Sequence, residues 1–265
     1  MSVHTIEYSD GRSIELEFDP KKHYYMVDGK YVPATTTVLD NIAKPALLPW
    51  AASMGARWFL DNTSMVPEQK DREPYPVFIN GKGLDDMAKG IRNAFRKSNR
   101  EAIQIGQDAH QYCQEAIEWK LGQRKEIPSL PQNEMTANSV NAFRDWVKAH
   151  EIKWYAAELK VYNRLHKYAG TVDAVAEVDD EFCVIDFKTS KAVYSSHHLQ
   201  CAAYADCVED IYGKDVDCSY VLRLDKTSGE FEAAKSTEIA ENLNGFLGFL
   251  AGYRRITKLE NSNGK

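Results

Sequence analysis

The sequence lacks several features that would assign it to a broad class at once. No apolar run approaches the roughly 18–20 residues that a membrane-spanning helix needs. The N-terminus, Met1-Ser2-Val3-His4, has no basic stretch followed by an apolar one, as a signal peptide has. There is also no glycine-rich phosphate loop, no GxSxG nucleophile motif and no dinucleotide fingerprint. We therefore expect a cytoplasmic protein with no membrane partner, and we set aside the small-molecule enzymes that these motifs mark.

Cysteine is scarce and its spacing suits neither a disulfide framework nor a metal cage. The chain has five cysteines, an odd number, which are widely spread and include no CxxC pair. A disulfide scaffold and a structural zinc site both need closer or paired cysteines. We expect most of the five to be buried as small apolar side chains.

Positive charge is in deficit, with 33 lysines and arginines against 39 aspartates and glutamates, a net charge of −6. This argues mildly against a nucleic-acid partner, because phosphate binding needs a cationic surface. The charge is uneven, however: six cationic residues lie between Lys82 and Arg100, with only two aspartates among them. This segment is either a local basic face or a solvated helix face, and the sequence leaves both open.

The first half of the chain is predicted to form a β-hairpin and several helices. Ile14, Leu16 and Phe18 alternate as in a strand, and Asp28-Gly29 is a strong tight-turn signal. Helices are predicted near residues 35–44, from Pro49 onwards, over 84–120 and over 134–150, with residues 62–82 as a loop. A capping box of Ser98 and Glu101 predicts that the 84–120 stretch is two helices.

From residue 152 the pattern changes to strands. Strands are predicted at 152–162, 170–177, 182–189, 218–225 and 230–234, with helices at 195–212 and 237–256. The order predicts an α/β fold with a βββαβ core at 151–257, after a hairpin and helical region at 1–150. A polar tail at 258–265 is expected to be disordered. We expect residues 1–265 to form a single domain.

Three residues of the core can carry chemistry together. If Asp179 and Asp180 form a two-residue hairpin turn, Asp173 and Asp186 lie opposite each other, and Lys188 shares their face. Two opposed carboxylates are unfavourable unless a divalent cation lies between them. A lysine beside the cation can hold or deprotonate an attacking water, which is metal-assisted phosphodiester hydrolysis. The alternative is that these are exposed residues on a solvated strand face. Strands rich in valine, isoleucine and phenylalanine argue against it.

This stretch resembles the RecB-type branch of the PD-(D/E)XK nucleases, which includes phage and mitochondrial genome-maintenance exonucleases. The resemblance rests on a turn from Gly170 to Asp173, then Asp186-Phe187-Lys188 in an apolar strand, then Gln200-x-x-x-Tyr204 on the next helix. The second and third motifs at this spacing are the specific ones.

Weaker motifs extend the resemblance over about residues 31–205. Gly106-x-x-x-His110 fits the helical histidine that the family places upstream of the core. The segment Val32-Pro-Ala-Thr-Thr-Thr-Val-Leu39, followed by Lys44-Pro45 and Trp50-Ala51, is similar to the opening of phage and mitochondrial-type members. By its residues alone His110 belongs to an apolar helical stripe and could be a core histidine.

The resemblance implies a restriction-endonuclease-like core, a central mixed sheet flanked by helices, and a role for each matched residue. Asp173, Asp186 and Lys188 would be catalytic, with one or two Mg²⁺ or Mn²⁺ ions held by the two aspartates, the Phe187 backbone carbonyl and His110. Gln200 and Tyr204 would brace the site or the nucleic-acid backbone. Glu158, in the strand before Asp173, is a further candidate ligand. Some members carry an iron–sulfur cluster, but Cys201, Cys207 and Cys218 lack the close pair that such clusters use, so no cluster is predicted.

The leading hypothesis is a metal-dependent DNA exonuclease acting on single-stranded DNA or DNA ends. It would act in replication, recombination or repair in a bacterial or phage-infected cell, alone or with a helicase or recombination partner. An endonuclease of the same fold is the first alternative. A scaffold that binds nucleic acid without cleaving it is the second, although such proteins are expected to lose one of the three residues. The aromatics Trp50 and Trp58 could stack on bases or fill a core.

Overall fold

The computed structural model of the chain describes residues 1–22, 24–42, 47–64, 78–79 and 84–263. The strands are β1 (Ser2–Glu7), β2 (Ser13–Asp19), β3 (Tyr24–Val27), β4 (Lys30–Val32), β5 (Thr63–Ser64), β6 (Phe78–Ile79), β7 (Ile152–Tyr162), β8 (Ala169–Val178), β9 (Glu181–Lys188), β10 (Cys218–Leu224) and β11 (Phe231–Ser236). The helices are α1 (Thr35–Leu39), α2 (Leu47–Asp61), α3 (Leu84–Lys120), α4 (Glu134–Ala149), α5 (Ser195–Tyr212) and α6 (Ile239–Asn263). By its internal contacts the chain divides into unit 1, Met1–Ile42 with Gly106–Lys265, and unit 2, Ala43–Ile105.

Unit 1 is built on a five-stranded mixed sheet of order β11-β10-β9-β8-β7. Strands β7, β8 and β9 form an antiparallel meander, because each is joined to the next by a short connection. Helix α5 then carries the chain back, so that β10 lies parallel to β9, and β11 returns antiparallel to β10. This is the predicted βββαβ order.

Helices cover both faces of this sheet, as the nearly continuous apolar strands require. One buried cluster joins the sheet to α5 and α6 and contains Phe182, Val184, Ala205 and Phe246. The other joins the opposite face to α4 and the end of α3, and contains Ile117, Phe143, Trp146 and Ile185. The predicted α/β class, a central mixed sheet flanked by helices, is confirmed. All five cysteines are free and buried.

Strands β1 to β4 form a separate antiparallel sheet at the N-terminus. The predicted turn is present, since Asp28 and Gly29 both adopt positive φ, at 51° and 69°. The sheet is tied to the core by two tyrosines. The Tyr8 hydroxyl donates to the Tyr162 carbonyl at 2.8 Å, and the Tyr25 hydroxyl lies 2.8 Å from Thr171 Oγ1.

The predicted break in the third helix is wrong, because α3 runs from Leu84 to Lys120 without interruption. A capping box needs the glutamate to reach back to the backbone of the serine. Here Glu101 lies 4.0 Å from Lys97 Nζ, one turn earlier, as an ordinary helical ion pair. Ser98 is therefore an interior helical residue.

The predicted disordered tail is also wrong over most of its length, because α6 continues to Asn263. No proline or glycine lies between residues 253 and 263 to stop the helix. The Ser262 hydroxyl donates to the Lys258 carbonyl one turn earlier. Across the described ranges, no helix is both long and apolar enough to cross a membrane.

Unit 2, taken by itself, contains α2, the first part of α3 and a two-stranded sheet of β5 and β6. The Trp50 ring packs edge-on against Phe95 with centroids 5.0 Å apart, and Trp58 lies where a Cβ at Gly90 would be. The two tryptophans therefore contact other residues of the unit. The predicted loop at 62–82 includes β5 and β6. The remainder from 65 to 77 and from 80 to 83 lies outside the described residues, as does Lys44-Pro45.

The expectation of a single domain over residues 1–265 stays a prediction.

Candidate active site

The site begins at a hairpin whose register brings β8 and β9 together as the turn predicts. Asp179 and Asp180 both have positive φ, 50° and 69°, and Val178 pairs with Glu181. Pairing continues to Ala174 and Ile185, and ends there. Asp173 and Asp186 would form the next rung. Instead, the Asp173 carboxylate fills the gap, because its Oδ2 accepts a 2.7 Å hydrogen bond from the Phe187 amide.

Asp173 is held between this amide and a histidine on α3. His110 Nδ1 lies 3.5 Å from Asp173 Oδ2, and the two side chains are 29% and 14% exposed. Burial by itself would raise the pKa of Asp173, but His110, Lys188 and the Phe187 amide together outweigh it, so the pKa lies below its ordinary value. The same contact raises the pKa of His110 against the opposing effect of burial. The two residues therefore stabilise each other's charged forms.

Asp186 is 1% exposed, and its Oδ2 lies 2.5 Å from Lys188 Nζ. The Lys188 ammonium is therefore the ion-pair partner of this buried oxygen. Burial raises the pKa of Asp186 to about 6, against the lowering effect of Lys188, and the charge of Asp173 raises it further. Burial lowers the pKa of Lys188, but Asp186 and Asp173 together outweigh burial, so the pKa lies above its usual value. Lys188 thus stabilises the charge of Asp186, as His110 stabilises that of Asp173.

The other oxygen of Asp186 is fixed by α5. Gln200 Nε2 donates to Asp186 Oδ1 at 3.0 Å and to the Tyr204 hydroxyl at 3.1 Å. The four-residue spacing puts both side chains on one face of the helix. Burial raises the pKa of Tyr204 well above its ordinary value, so it stays a neutral phenol.

The predicted turn at Gly170 is wrong, since Gly170 lies within β8. Its role is space. A Cβ at Gly170 would lie 2.5 Å from Tyr204 Cε1 and 3.2 Å from Thr35 Oγ1. The absence of a side chain lets the Tyr204 ring lie against the strand. Gly106 acts similarly, because a Cβ there would lie 3.0 Å from Thr189 Oγ1, next to the end of β9.

Glu158 lies in β7 with a φ of +50°, a conformation that glutamate rarely adopts in a strand. Its neighbours Ala157 and Leu159 keep the regular pairing with β8, so the distortion is local. Burial raises the pKa of Glu158, and the charge of Asp173 adds to the effect, while Lys160 opposes it. The carboxyl group therefore belongs to the same electrostatic cluster as Asp173.

These residues line one cavity of about 260 Å³, which contains every predicted site side chain. The predicted members are His110, Glu158, Asp173, Asp186, Lys188, Gln200 and Tyr204. Phe187 contributes its amide to the site, and the role of its carbonyl stays a prediction. The sequence did not predict Tyr25 and Lys160, which also line the cavity. Lys160 lies 3.5 Å from Glu158, and the two-residue spacing in one strand was the available signal.

The donor set fits a divalent cation. Carboxylate oxygens are the ligands that Mg²⁺ and Mn²⁺ favour, and the Asp173 and Asp186 carboxylates both line the cavity. In the described part of the chain, no three His, Cys, Asp or Glu side chains are grouped as a complete metal site. Water and substrate phosphate oxygens would supply the remaining ligands, as is usual for Mg²⁺.

Comparison with known families agrees with this geometry. The sequence model of the PD-(D/E)XK nuclease superfamily matches residues 56–258, more than half of the chain, and the match includes the whole Asp173, Asp186 and Lys188 constellation. No curated protein matches the sequence. Nucleases of this superfamily generally use divalent metals such as Mg²⁺ or Mn²⁺ and act on DNA. The chain therefore belongs to the PD-(D/E)XK nuclease superfamily.

Proposed function

We propose that this protein is a divalent-metal-dependent exodeoxyribonuclease that hydrolyses phosphodiester bonds from single-stranded or free DNA ends. The observation that carries the proposal is the convergence of Asp173, Asp186 and Lys188 on one cavity, where Asp186 is 1% exposed and its Oδ2 lies 2.5 Å from the Lys188 ammonium. Two carboxylates that can hold a divalent cation, with a lysine beside them, are what metal-assisted phosphodiester hydrolysis needs.

Each residue has a specific part in this proposal. Asp173 and Asp186 would hold one or two ions, with His110, Glu158 and the Phe187 carbonyl as further candidate ligands. A bound divalent cation polarises the scissile phosphate and lowers the pKa of a bound water. Lys188 would hold the attacking water and stabilise the negative charge that develops on the phosphate. Gln200 orients Asp186, and Tyr204 orients Gln200.

The exonuclease assignment follows from the resemblance to the RecB-type branch. The motifs that carry it, Asp186-Phe187-Lys188 and Gln200-x-x-x-Tyr204, make direct contact with one another in the site. By the same resemblance, the protein would act in the cytoplasm of a bacterial or phage-infected cell, in replication, recombination or repair. A helicase or recombination protein is the expected partner.

The test is cleavage of 5′- and 3′-labelled single-stranded and double-stranded DNA, with Mg²⁺, Mn²⁺ or EDTA. Wild-type protein is compared with Asp186→Asn, Lys188→Ala and a matched surface control, Asp145→Asn, whose carboxylate pairs with Lys148. We expect metal-dependent laddering from one end, lost in the two site variants and retained in the control. Covalently closed single-stranded circles are included, since an exonuclease leaves them intact.

Two outcomes would replace the proposal. Cleavage of closed circles at a rate similar to that of linear DNA would identify an endonuclease of the same fold. Binding of DNA without cleavage under any metal condition would identify a nucleic-acid-binding scaffold.

A further inference from the structure

A second groove lies in unit 1 beside the active-site cavity, with a volume of about 810 Å³. One wall comes from Tyr31 and Pro33, at and after the end of β4, and another from Tyr253, Arg254 and Lys258 of α6. Lys167, in the turn before β8, completes it. The Tyr31 and Tyr253 hydroxyl oxygens lie 3.3 Å apart and link the two walls.

The groove is cationic in a chain whose net charge is −6. Three lysines and arginines line it, and no Asp or Glu is found among its described lining residues. The Tyr31 ring is 53% exposed, a large aromatic surface beside these charges. Cationic side chains that follow a phosphate backbone, with an aromatic ring on which a base can stack, are the chemistry of single-strand binding.

Lys167 is held at the groove in an unfavourable backbone conformation. Its φ is +52°, and its amide donates to the Asn163 carbonyl at 2.8 Å to close a tight turn. Lysine has neither the short polar side chain of asparagine nor the missing Cβ of glycine, the two features that favour this region. Arg254 Nη2 donates to the Lys167 carbonyl at 3.0 Å and fixes the turn against α6.

The groove and the active-site cavity are lined by neighbouring residues of the same two chain segments. Residues 31–33 line the groove and residues 34–36 line the cavity, while Lys167 lines the groove and Gly170 lines the cavity. The segments are joined by a parallel bridge between Ala34 and Ala169 and by a 3.0 Å hydrogen bond from the Ala169 amide to the Pro33 carbonyl. Three residues of extended chain span at most about 10 Å, so a strand of a few nucleotides can reach from the cavity to the groove.

We propose that this groove binds the DNA strand next to the scissile phosphate as a single strand, with Lys167 and Lys258 on its phosphates and Tyr31 stacked against a base. The proposal rests on the proposed function, because it takes the occupant of the neighbouring cavity to be a DNA phosphodiester.

The test measures binding separately from cleavage. Fluorescence anisotropy with labelled oligo(dT) in EDTA gives the affinity of wild type, the double variant Lys167→Gln/Lys258→Gln, and Tyr31→Leu over roughly 50–200 mM salt. Glutamine keeps the Cβ and an unbranched polar side chain, so the free-energy cost of the positive φ at Lys167 should not change. Lys125→Gln is the matched control, since Lys125 is exposed in unit 1 and lines neither cavity. Arg254 is left intact because it bonds backbone carbonyls.

We expect the double variant to bind roughly tenfold more weakly, with a salt slope shallower by about 0.7 for each lysine removed. Tyr31→Leu should weaken binding at every salt concentration without changing the slope, and Lys125→Gln should match wild type.

If the double variant kept wild-type affinity and salt slope while circular dichroism showed native folding, DNA binding by the groove would be refuted. If wild-type protein bound oligo(dT) through this groove but did not cleave DNA with any metal, the proposed function would be refuted. DNA binding by the groove would still be supported. If wild-type protein did not bind oligo(dT), DNA binding by the groove would be refuted, whatever the cleavage assay shows.

Discussion

Glu158 and Asp173 meet at a position where the pairing of β7 and β8 is interrupted. The flanking residues pair regularly, Ala157 with Ala174 and Leu159 with Val172, but Glu158 has a φ of +50°. The Glu158 and Asp173 carboxyl groups line the same cavity. Strained backbone of this kind is commonly retained where function requires it.

Replacement of Glu158 should separate backbone strain from chemistry. An L-residue in the left-handed region costs about 1 kcal/mol, whereas glycine accepts it. We expect Glu158→Gly to be more stable than Glu158→Ala by about 1 kcal/mol in urea unfolding. If Glu158 is a ligand, both variants lose cleavage to the same degree. Equal stability of the two would show that the positive φ carries no cost.

Divalent metal should stabilise the folded protein through Asp173. Because ligands that bind only the folded state raise its stability, Mn²⁺ at about 100 times its Kd should add about 2.7 kcal/mol. Differential scanning fluorimetry should show this stabilisation as a rise in Tm, both for wild type and for Asp145→Asn. Asp173→Asn should show almost none. A rise of the same size in Asp173→Asn would place the metal elsewhere.

The hydrogen bonds of α5 should act on turnover rather than on substrate affinity. Gln200→Leu removes the donor to Asp186 Oδ1, and Tyr204→Phe removes the partner of Gln200. Groups that orient metal ligands typically contribute 10–100-fold to activity. We expect kcat to fall by roughly that factor in Gln200→Leu and by less in Tyr204→Phe, with KM nearly unchanged. A change confined to KM would show that these residues contact DNA instead.

The space at Gly170 should be essential for both stability and activity. An added Cβ would lie 2.5 Å from Tyr204 Cε1, so the ring or the strand must move. We expect Gly170→Ala to cost about 1–3 kcal/mol in chemical unfolding and to reduce cleavage by displacing Tyr204. Gly248→Ala is the control, because a Cβ there meets nothing within 4 Å. In that exposed helical position alanine should add roughly 0.5–1 kcal/mol. If Gly170→Ala changed neither the free energy of unfolding nor the cleavage rate, the close packing of Tyr204 against Gly170 would be contradicted.

Asp225 provides a pH-dependent contribution to stability away from the site. Its carboxylate accepts from Arg223 Nη1 at 2.7 Å and from the Thr227 amide at 2.7 Å, and these contacts lower its pKa to about 2. A lowered pKa gives stability that is present above the unfolded value near 3.8 and is lost as the pH falls towards 2. We expect Asp225→Asn to lose about 1 kcal/mol at neutral pH, since the pair is partly exposed. The urea midpoints of variant and wild type should converge between about pH 4 and pH 2. A constant gap across that range would exclude the ionised carboxylate as the cause.

Local patterns predicted the core well because local rules govern it. The apolar strands at 152–162 and 182–189, the Asp179-Asp180 turn and the four-residue spacing of Gln200 and Tyr204 depend on alternation, turn chemistry and helical periodicity. Sequence rules failed where one local pattern was compatible with two different structures. The Ser98 and Glu101 pair looks like a helix start, but Lys97 offers Glu101 a helical ion pair instead. The polar residues after 256 look like a tail, yet nothing in them stops a helix.

The sequence by itself determined the α/β core, the hairpin register and the residue types that can hold a divalent cation. Only the tertiary structure decided how they are arranged. The Asp173 carboxylate replaces a rung of the sheet, Asp186 is buried beside Lys188, and Gly170 makes room for Tyr204. Strand β4, helix α6 and the turn at Lys167 together form the cationic groove. These features join residues far apart in the chain. Burial, close approach and electrostatic coupling depend on distances that no local pattern encodes.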